Sequence, residues 1–279
     1  ATDQIKSFTS TGFTVGTGGD ANSSGNTYVA WCFKANGGTT SSNSDGAVTT
    51  TVQANPDAGF SIVSFSGTGS QTTFGHGLGE KPDVVIIKRL DSTDSWSVYH
   101  DLVDGSMDLM YLNSNAANSN SSRPLFTNSV FYWVNSGNYI AYCFKSTDSF
   151  SNFGTYIGNG STNGPVVETG FEPAFLIVKS TTGSGWDIWD NKRNTTNPRN
   201  TILTTNNNAA DYTSTSVVGI DFLSNGFQIK NTNADHNTNG NKYIFIAFAA
   251  DPDTEAPTLA SSFNIETYIG TSAARSITG

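Results

Sequence analysis

Apolar residues in this chain fall in short runs bounded by Gly, Pro, Asn and Ser, with almost no helical spacing. Phe60-Ser61-Ile62-Val63-Ser64-Phe65 sets large apolar side chains among small polar ones, the signature of a strand rich in β-branched and aromatic residues. Val84 to Ile87 and Tyr28 to Phe33 are apolar at successive positions, which suits strands covered on both faces. Pro82 and Pro173 stand at strand entries, where no ladder hydrogen bond is lost. The dipeptides Asn36-Gly37, Asn159-Gly160, Asn163-Gly164, Asn225-Gly226 and Asn239-Gly240 supply the positive φ that tight hairpins require. Helix is expected only as weak single turns, such as Asn206 to Asp211. The pattern predicts an all-β chain of tandem β-sandwich or jelly-roll-like units of about 90–110 residues.

The pattern also repeats. Gly79-Glu80-Lys81-Pro82 through Lys88, followed by Trp96-Ser97-Val98-Tyr99, returns about 90 residues later as Gly170-Phe171-Glu172-Pro173 through Lys179, followed by Trp186-Asp187-Ile188-Trp189. A closing signature occurs three times, around Tyr28 to Phe33, Tyr139 to Phe144 and Tyr243 to Phe248, and an opening one at Ile62-x-x-Phe65-x-Gly67, Phe153-x-x-Tyr156-x-Gly158 and Ile265-x-x-Tyr268-x-Gly270. The predicted organisation is closing strands of a partial repeat over 1–37, a Gly/Ser/Thr linker over 38–56, β-sandwich repeats over 57–147 and 148–250, and an acidic linker with the opening strand of a further repeat over 251–279. The chain is expected to be a piece of a longer protein. Its last strand, carrying Phe263, Ile265, Tyr268 and Ile269, is expected to lie unpaired and ready for assembly.

Composition narrows the function classes. The formal net charge is −9 and charged residues are 13 % of the chain, with no basic run to displace counterions from phosphate, so a nucleic-acid partner is not expected. No apolar stretch approaches bilayer length, so membrane insertion is not expected either. Aromatic residues reach 12 %, enough to fill cores beneath a polar, largely uncharged surface. Cys32 and Cys143 occupy the closing-strand position that Ala247 takes in the third copy, and read as free thiols at a site wanting a small side chain.

Candidate chemistry is sparse. His76, His100 and His236 lack metal-ligand spacing, and no Gly-x-Ser-x-Gly turn accompanies them. His76 lies in a glycine turn, and His100 beside Asp101 reads as a surface histidine. Asp251-x-Asp253-x-Glu255 and Asp20-Ala21-Asn22 carry clustered oxygens without a full calcium-loop pattern, and read as solvated charge. No metal, cofactor or catalytic residue is expected. Trp96, Tyr99, Trp186 and Trp189 alternate beside Asn-, Asp- and Ser-rich loops, a mixture that stacks on and hydrogen-bonds to sugars, but recurrence in both copies favours a core role for Trp96 and Trp186. Tyr132, Trp133 and Tyr212 occur once each and are the candidate glycan contacts.

Taken together, Tyr28-Val29-Ala30-Trp31-Cys32-Phe33, Asn55-x-x-Ala58-Gly59-Phe60-Ser61-Ile62-Val63, Gly75-His76-Gly77-Leu78-Gly79-x-x-Pro82 and Asp221-Phe222-Leu223-Ser224-Asn225-Gly226-Phe227 resemble a repeated domain of tailed-phage virion proteins, over about Phe8 to Phe248. The chain departs from that pattern by continuing through Asp253 to Gly279. The resemblance implies a virion-surface role with no catalytic residues. Together with the repeat and the uncharged polar surface it gives the leading expectation, a non-enzymatic protein of the virion surface, a tail fibre or appendage, with other virion proteins and host surface glycans as partners and a homo-oligomeric state. The alternatives are a structural subunit of an extracellular filament, sheath or capsid decoration assembling through unpaired terminal strands and, at a lower rank, a polysaccharide-degrading enzyme.

Overall fold

The computed structural model describes residues 3–213, 219–249 and 263–278. In chain order the first elements are β1 (Ile5–Thr9), β2 (Gly12–Val15), the helical turn α1 (Gly19–Asn22) and β3 (Thr27–Phe33). Next come β4 (Ser41–Asn43), β5 (Thr50–Asn55), β6 (Phe60–Gly67), β7 (Thr72–Gly75), β8 (Val84–Arg89), β9 (Ser97–His100), β10 (Asp108–Tyr111), β11 (Ser119–Asn120), β12 (Val130–Trp133) and β13 (Gly137–Phe144). The second repeat holds β14 (Ser151–Ile157), β15 (Val166–Glu168), β16 (Pro173–Ser180), β17 (Trp186–Asp190), β18 (Thr201–Thr204), β19 (Tyr212–Thr213), β20 (Ile220–Leu223), β21 (Gly226–Ile229), the turn α2 (Ala234–Asn237) and β22 (Lys242–Ala249). Strands β23 (Phe263–Ile269) and β24 (Arg275–Thr278) follow. The protein is all-β and built of sandwich-like units. Among the described residues the helical turns are α1 and α2, and Asn206 to Asp211 forms a turn and irregular chain.

Two compact units divide the chain: 38–250, and a unit formed by 1–37 with 251–279. In the first repeat of the larger unit, sheet order is β11-β10-β9-β8-β13-β6-β5-β4, opposed by the pair β12-β7. The closing strand β13 is central, pairing with β6 from Gly137↔Gly67 to Phe144↔Phe60 and with β8 from Tyr139↔Arg89 to Phe144↔Val84. Its inward residues Tyr139, Ala141 and Cys143 meet Phe65, Phe74, Phe131 and Trp133 in one core. Residues 38–56 are therefore not a linker. They contribute β4 and β5, with Thr50 and Val52 buried and β5 paired to β6. A Thr-rich segment passes for a linker by composition, yet β-branched Thr and Val also favour a pleated surface.

The second repeat follows the same plan, with order β14-β22-β16-β17-β18-β19 opposed by β15-β21-β20. Its core joins Tyr156, Leu176, Trp189, Phe222, Phe227, Tyr243 and Phe245. The repeats meet through backbone and side chain alike: Trp186 Nε1 donates to the Tyr111 carbonyl at 2.9 Å, Ser184 N to Asn115 O at 2.9 Å and Asn118 N to Thr181 O at 2.9 Å.

The smaller unit brings the two ends of the chain together. β23 pairs with β3 from Phe263↔Phe33 to Ile269↔Thr27, while β24 pairs with β2, which also carries β1. The last strand is thus not unpaired: Phe263 and Ile265 are buried, Tyr268 packs on the small core of Phe13, Val15 and Ile277, and Ile269 is exposed. The opening sequence finds a closing strand of its own type, in the register that β6 adopts on β13 and β14 on β22. The acidic spacer Asp251 to Pro257 lies outside the described residues.

One clasp recurs. In the second repeat Tyr156 and Tyr243 stack with ring centroids 5.0 Å apart. The Tyr243 hydroxyl donates to Ala234 O and accepts from Thr238 N, both at 2.8 Å, and the Tyr156 hydroxyl donates to His236 O at 2.7 Å. Buried Asn237 donates to Asn231 O and Ser161 O, each at 2.7 Å, and accepts from Asn159 N at 2.8 Å. The smaller unit repeats this atom for atom: Tyr28 and Tyr268 stack at 5.1 Å, Tyr28 bridges Gly19 O and Ser23 N, Tyr268 donates to Ala21 O, and Asn22 bonds Gly16 O, Ala273 O and Thr271 N. A four-residue helical turn has no stability of its own, so the clasp is what holds α1 and α2 in place. Replacing Asn237 by Ala strips the donor from the buried Asn231 carbonyl and from the part-buried Ser161 carbonyl and should cost about 2–4 kcal/mol, read as a lower urea midpoint. Tyr212→Ala at an exposed edge should move it by less than about 0.5 kcal/mol.

Candidate functional site

The loop that joins β8 to β9 in the first repeat, residues 90–96, carries Asp91, Thr93, Asp94 and Ser95; the matching loop in the second repeat, 181–185, has no charged residue. Above the core this loop closes one side of a groove of about 420 Å³. Tyr111, Trp133 and Tyr139 supply aromatic lining, and Arg89, Asp94 and Asn135 supply polar groups. The volume lies within the range of about 300–1,000 Å³ typical of small-molecule sites.

The polar rim is held in place before any ligand arrives. Arg89 Nε donates to Asp91, its NH1 reaches Asp94 Oδ2 at 3.4 Å, and Asp91 Oδ2 accepts the Asn138 amide at 3.0 Å. The Asp91 carboxyl is held below the usual carboxylate range by its hydrogen bond from Arg89. Arg89 also lies 6.0 Å from the Tyr139 ring centroid, where a cation meets the negative face of the ring. Trp133 packs edge-on against Tyr139 with centroids 4.9 Å apart, under the Arg123 guanidinium at 4.2 Å. Its indole Nε1–H has no hydrogen-bond partner among the described residues.

Of the aromatic residues expected to contact glycan, Trp133 is a core residue, 5 % exposed, that also lines the groove. Tyr132 points to the opposite side of β12, as strand alternation requires, and Tyr212 stands 49 % exposed on β19 of the second repeat. The three do not form one site. Tyr99, Trp186 and Trp189 are buried, whereas Trp96 is half-buried and stacks on Tyr142 with centroids 6.3 Å apart. Arg89, Asp94, Tyr111 and Asn135 were not singled out in the sequence. The signal that marks them is a difference between copies, since the second repeat has Ser180 where the first has Arg89.

A second polar cluster lies beneath α2. His236 Nε2 and Asp187 Oδ2 are 2.6 Å apart, with the Trp189 ring 5.0 Å from the imidazole, and buried Lys179 donates to Ser184 O. Burial pushes the Lys179 ammonium down to about 8, against the opposing charges of Asp187 and Asp235. The pair has the outline of a catalytic dyad, yet among the described residues His236 Nδ1 has no hydrogen-bond partner, and both residues are buried. The arrangement fastens α2 to the sheet through Asp187 on β17. Among the described residues no group of three His, Cys, Asp or Glu side chains is set to hold a metal ion.

His100 is not a surface residue but is 1 % exposed. Its Nδ1 accepts the Leu102 amide at 3.4 Å, and the matching Asp190 carboxylate accepts the Lys192 amide at 3.1 Å, so both cap the chain leaving the strand. His76 does likewise, accepting from Leu78 N at 3.2 Å while its Nε2 faces Thr127 O. Each imidazole must be neutral to accept. Burial holds both below the ordinary value, His100 at about 4. In the unfolded chain histidine takes up its proton near pH 6.5, so between 6.5 and 4 the unfolded state binds more protons and stability falls as pH falls. Urea titrations should show His100 contributing a loss on the order of 3 kcal/mol across that window, with a shallower slope in His100→Asn.

A family model described as a domain of unknown function, DUF7483, matches residues 1–252. No curated protein and no solved structure matches the chain. The match runs through the N-terminal strands, both repeats and the groove, and the chain belongs to the DUF7483 family.

Proposed function

We propose that this chain is a non-enzymatic protein of a phage virion surface, part of a tail fibre or similar appendage, that attaches to host surface glycans through the groove of its first repeat. The observation that carries the reading is the lining itself: aromatic rings beside a fixed Arg89–Asp91–Asp94 rim and Asn135. Sugars present alternating apolar faces and hydroxyl edges; half-buried Tyr111 offers a ring to the first, above a floor of Trp133 and Tyr139, and Arg89, Asp94 and Asn135 offer charged or amide hydrogen-bond partners to the second. The polar composition, low in charged residues, and the repeated sandwich framework are in keeping with an adhesive surface protein. The virion placement rests on the resemblance of the repeat motifs to those of tailed-phage proteins.

A glycan array followed by calorimetric titration of the best hit tests the reading. Asp94→Ala and Asn135→Ala are expected to weaken binding at least about tenfold, about 1.4 kcal/mol each, with melting temperatures near the parent's. Tyr212→Ala should bind as the parent does. An array without hits, or rim variants that bind like the parent, would reject the groove as the attachment site.

A further inference from the structure

The smaller unit is assembled from two separate pieces of the sandwich plan. β1, β2, α1 and β3 follow the layout of β20, β21, α2 and β22, and β23 and β24 follow that of β14 and β15. In the second repeat a third piece, β16 to β18, runs along the other edge of β22, and Arg199 beside it covers Phe222 at 4.5 Å from the ring. The residue at the corresponding hairpin position of the smaller unit is Phe8, which pairs with Phe13 as Phe222 pairs with Phe227, and it is 87 % exposed where Phe222 is 3 % exposed. The two pieces therefore meet along a seam made of the β3–β23 and β2–β24 ladders, the Tyr28–Tyr268 clasp and a small core of buried Phe13, Val15 and Ile277.

We infer that this seam also forms between chains: β23 and β24 of one copy dock on β3 and β2 of a second copy, in the register seen within one chain. The partner is fixed by the structure, because the acceptor face is already complementary to this segment. Every hydrogen bond and ring contact of the seam is the same whether the two pieces belong to one chain or two, so the balance depends on concentration rather than on new contacts. The seam also has a smaller core behind it than either repeat, and fewer buried apolar contacts lower the cost of local opening. Exchange in one direction builds a head-to-tail array, and reciprocal exchange closes a dimer. This inference does not depend on the glycan reading.

Register supplies the test. Asn264 lies directly opposite Cys32, at the cross-strand spacing a disulfide spans, whereas Glu266 lies opposite Ala30. The full chain carrying Cys143→Ala, the residue found at that position in the second repeat, and Asn264→Cys is oxidised at increasing concentration and run on a non-reducing gel. The Cys32 thiol and the thiol introduced at position 264 each lose their hydrogen as the S–S bond forms, the added copper–phenanthroline oxidant taking the two electrons and two protons leaving to solvent. Dimers and larger species whose share rises with concentration, and which are scarce when Glu266→Cys replaces Asn264→Cys, are the expected result. Cross-linked monomer alone at every concentration, unreacted thiols, or equal cross-linking by both variants would overturn it. Sedimentation of the unmodified chain gives an independent reading: mass should rise above 29.6 kDa with concentration, and a constant 29.6 kDa contradicts exchange.

Discussion

The structure depends on one constraint: each closing strand must be paired to an opening strand and tied at its start to the loop that precedes it. β13 and β3 satisfy the first requirement along their full lengths, and β22 does so from Lys242 to Phe248. Two of the three satisfy the second through a stacked tyrosine pair whose hydroxyls thread the backbone of a single helical turn, with a buried asparagine closing the corner. Individually such bonds contribute about 1 kcal/mol net, but leaving the same buried groups unpaired costs more, which is why the corner is kept whole. The first repeat takes a shorter path. It runs from Trp133 to Gly137 without a helical turn, stacks Phe65 on Tyr139 at 5.3 Å, and anchors the Tyr139 hydroxyl on Ser136 O.

That shorter path bears on function. Where the second repeat seals its corner with α2 and the His236–Asp187 pair, the first leaves room over Trp133 and Tyr139, and its charged β8–β9 loop stands beside the opening. One framework has thus produced a closed copy and an open one by changing two loops. This division is familiar in physical terms, since strands carry the core and loops carry recognition.

Much of the fold could be read from the residues. Apolar runs at Tyr28 to Phe33, Phe60 to Phe65 and Val84 to Ile87 are strands, the repeat boundaries near 147 and 148 fall between β13 and β14, and the prolines stand at or just before strand entry. What escaped were features set by packing at a distance. Thr50 and Val52 sit in a stretch whose composition suggests a linker, and only their place beside β6 buries them. His100 is polar and next to Asp101, yet its strand position puts it inside. The pairing of β23 with β3 joins residues more than two hundred positions apart, beyond any local pattern, although the shared opening and closing signatures held the necessary information. The groove was least legible, because its lining comes from five strands and their loops, and the charged loop that distinguishes one copy from the other carries no unusual aromatic residue to mark it.

The central claim is that the two ends of the chain complete a third copy of the sandwich corner. Hydrogen–deuterium exchange followed by peptide mapping tests it most directly. The hydrogen-bonded amides of 27–33 and 263–269 should be protected, and the two segments should lose protection together, at a common rate slower than that of the turn at 104–106. Exchange of both segments at unfolded-chain rates, in a protein whose β13 and β22 amides stay protected, would contradict it.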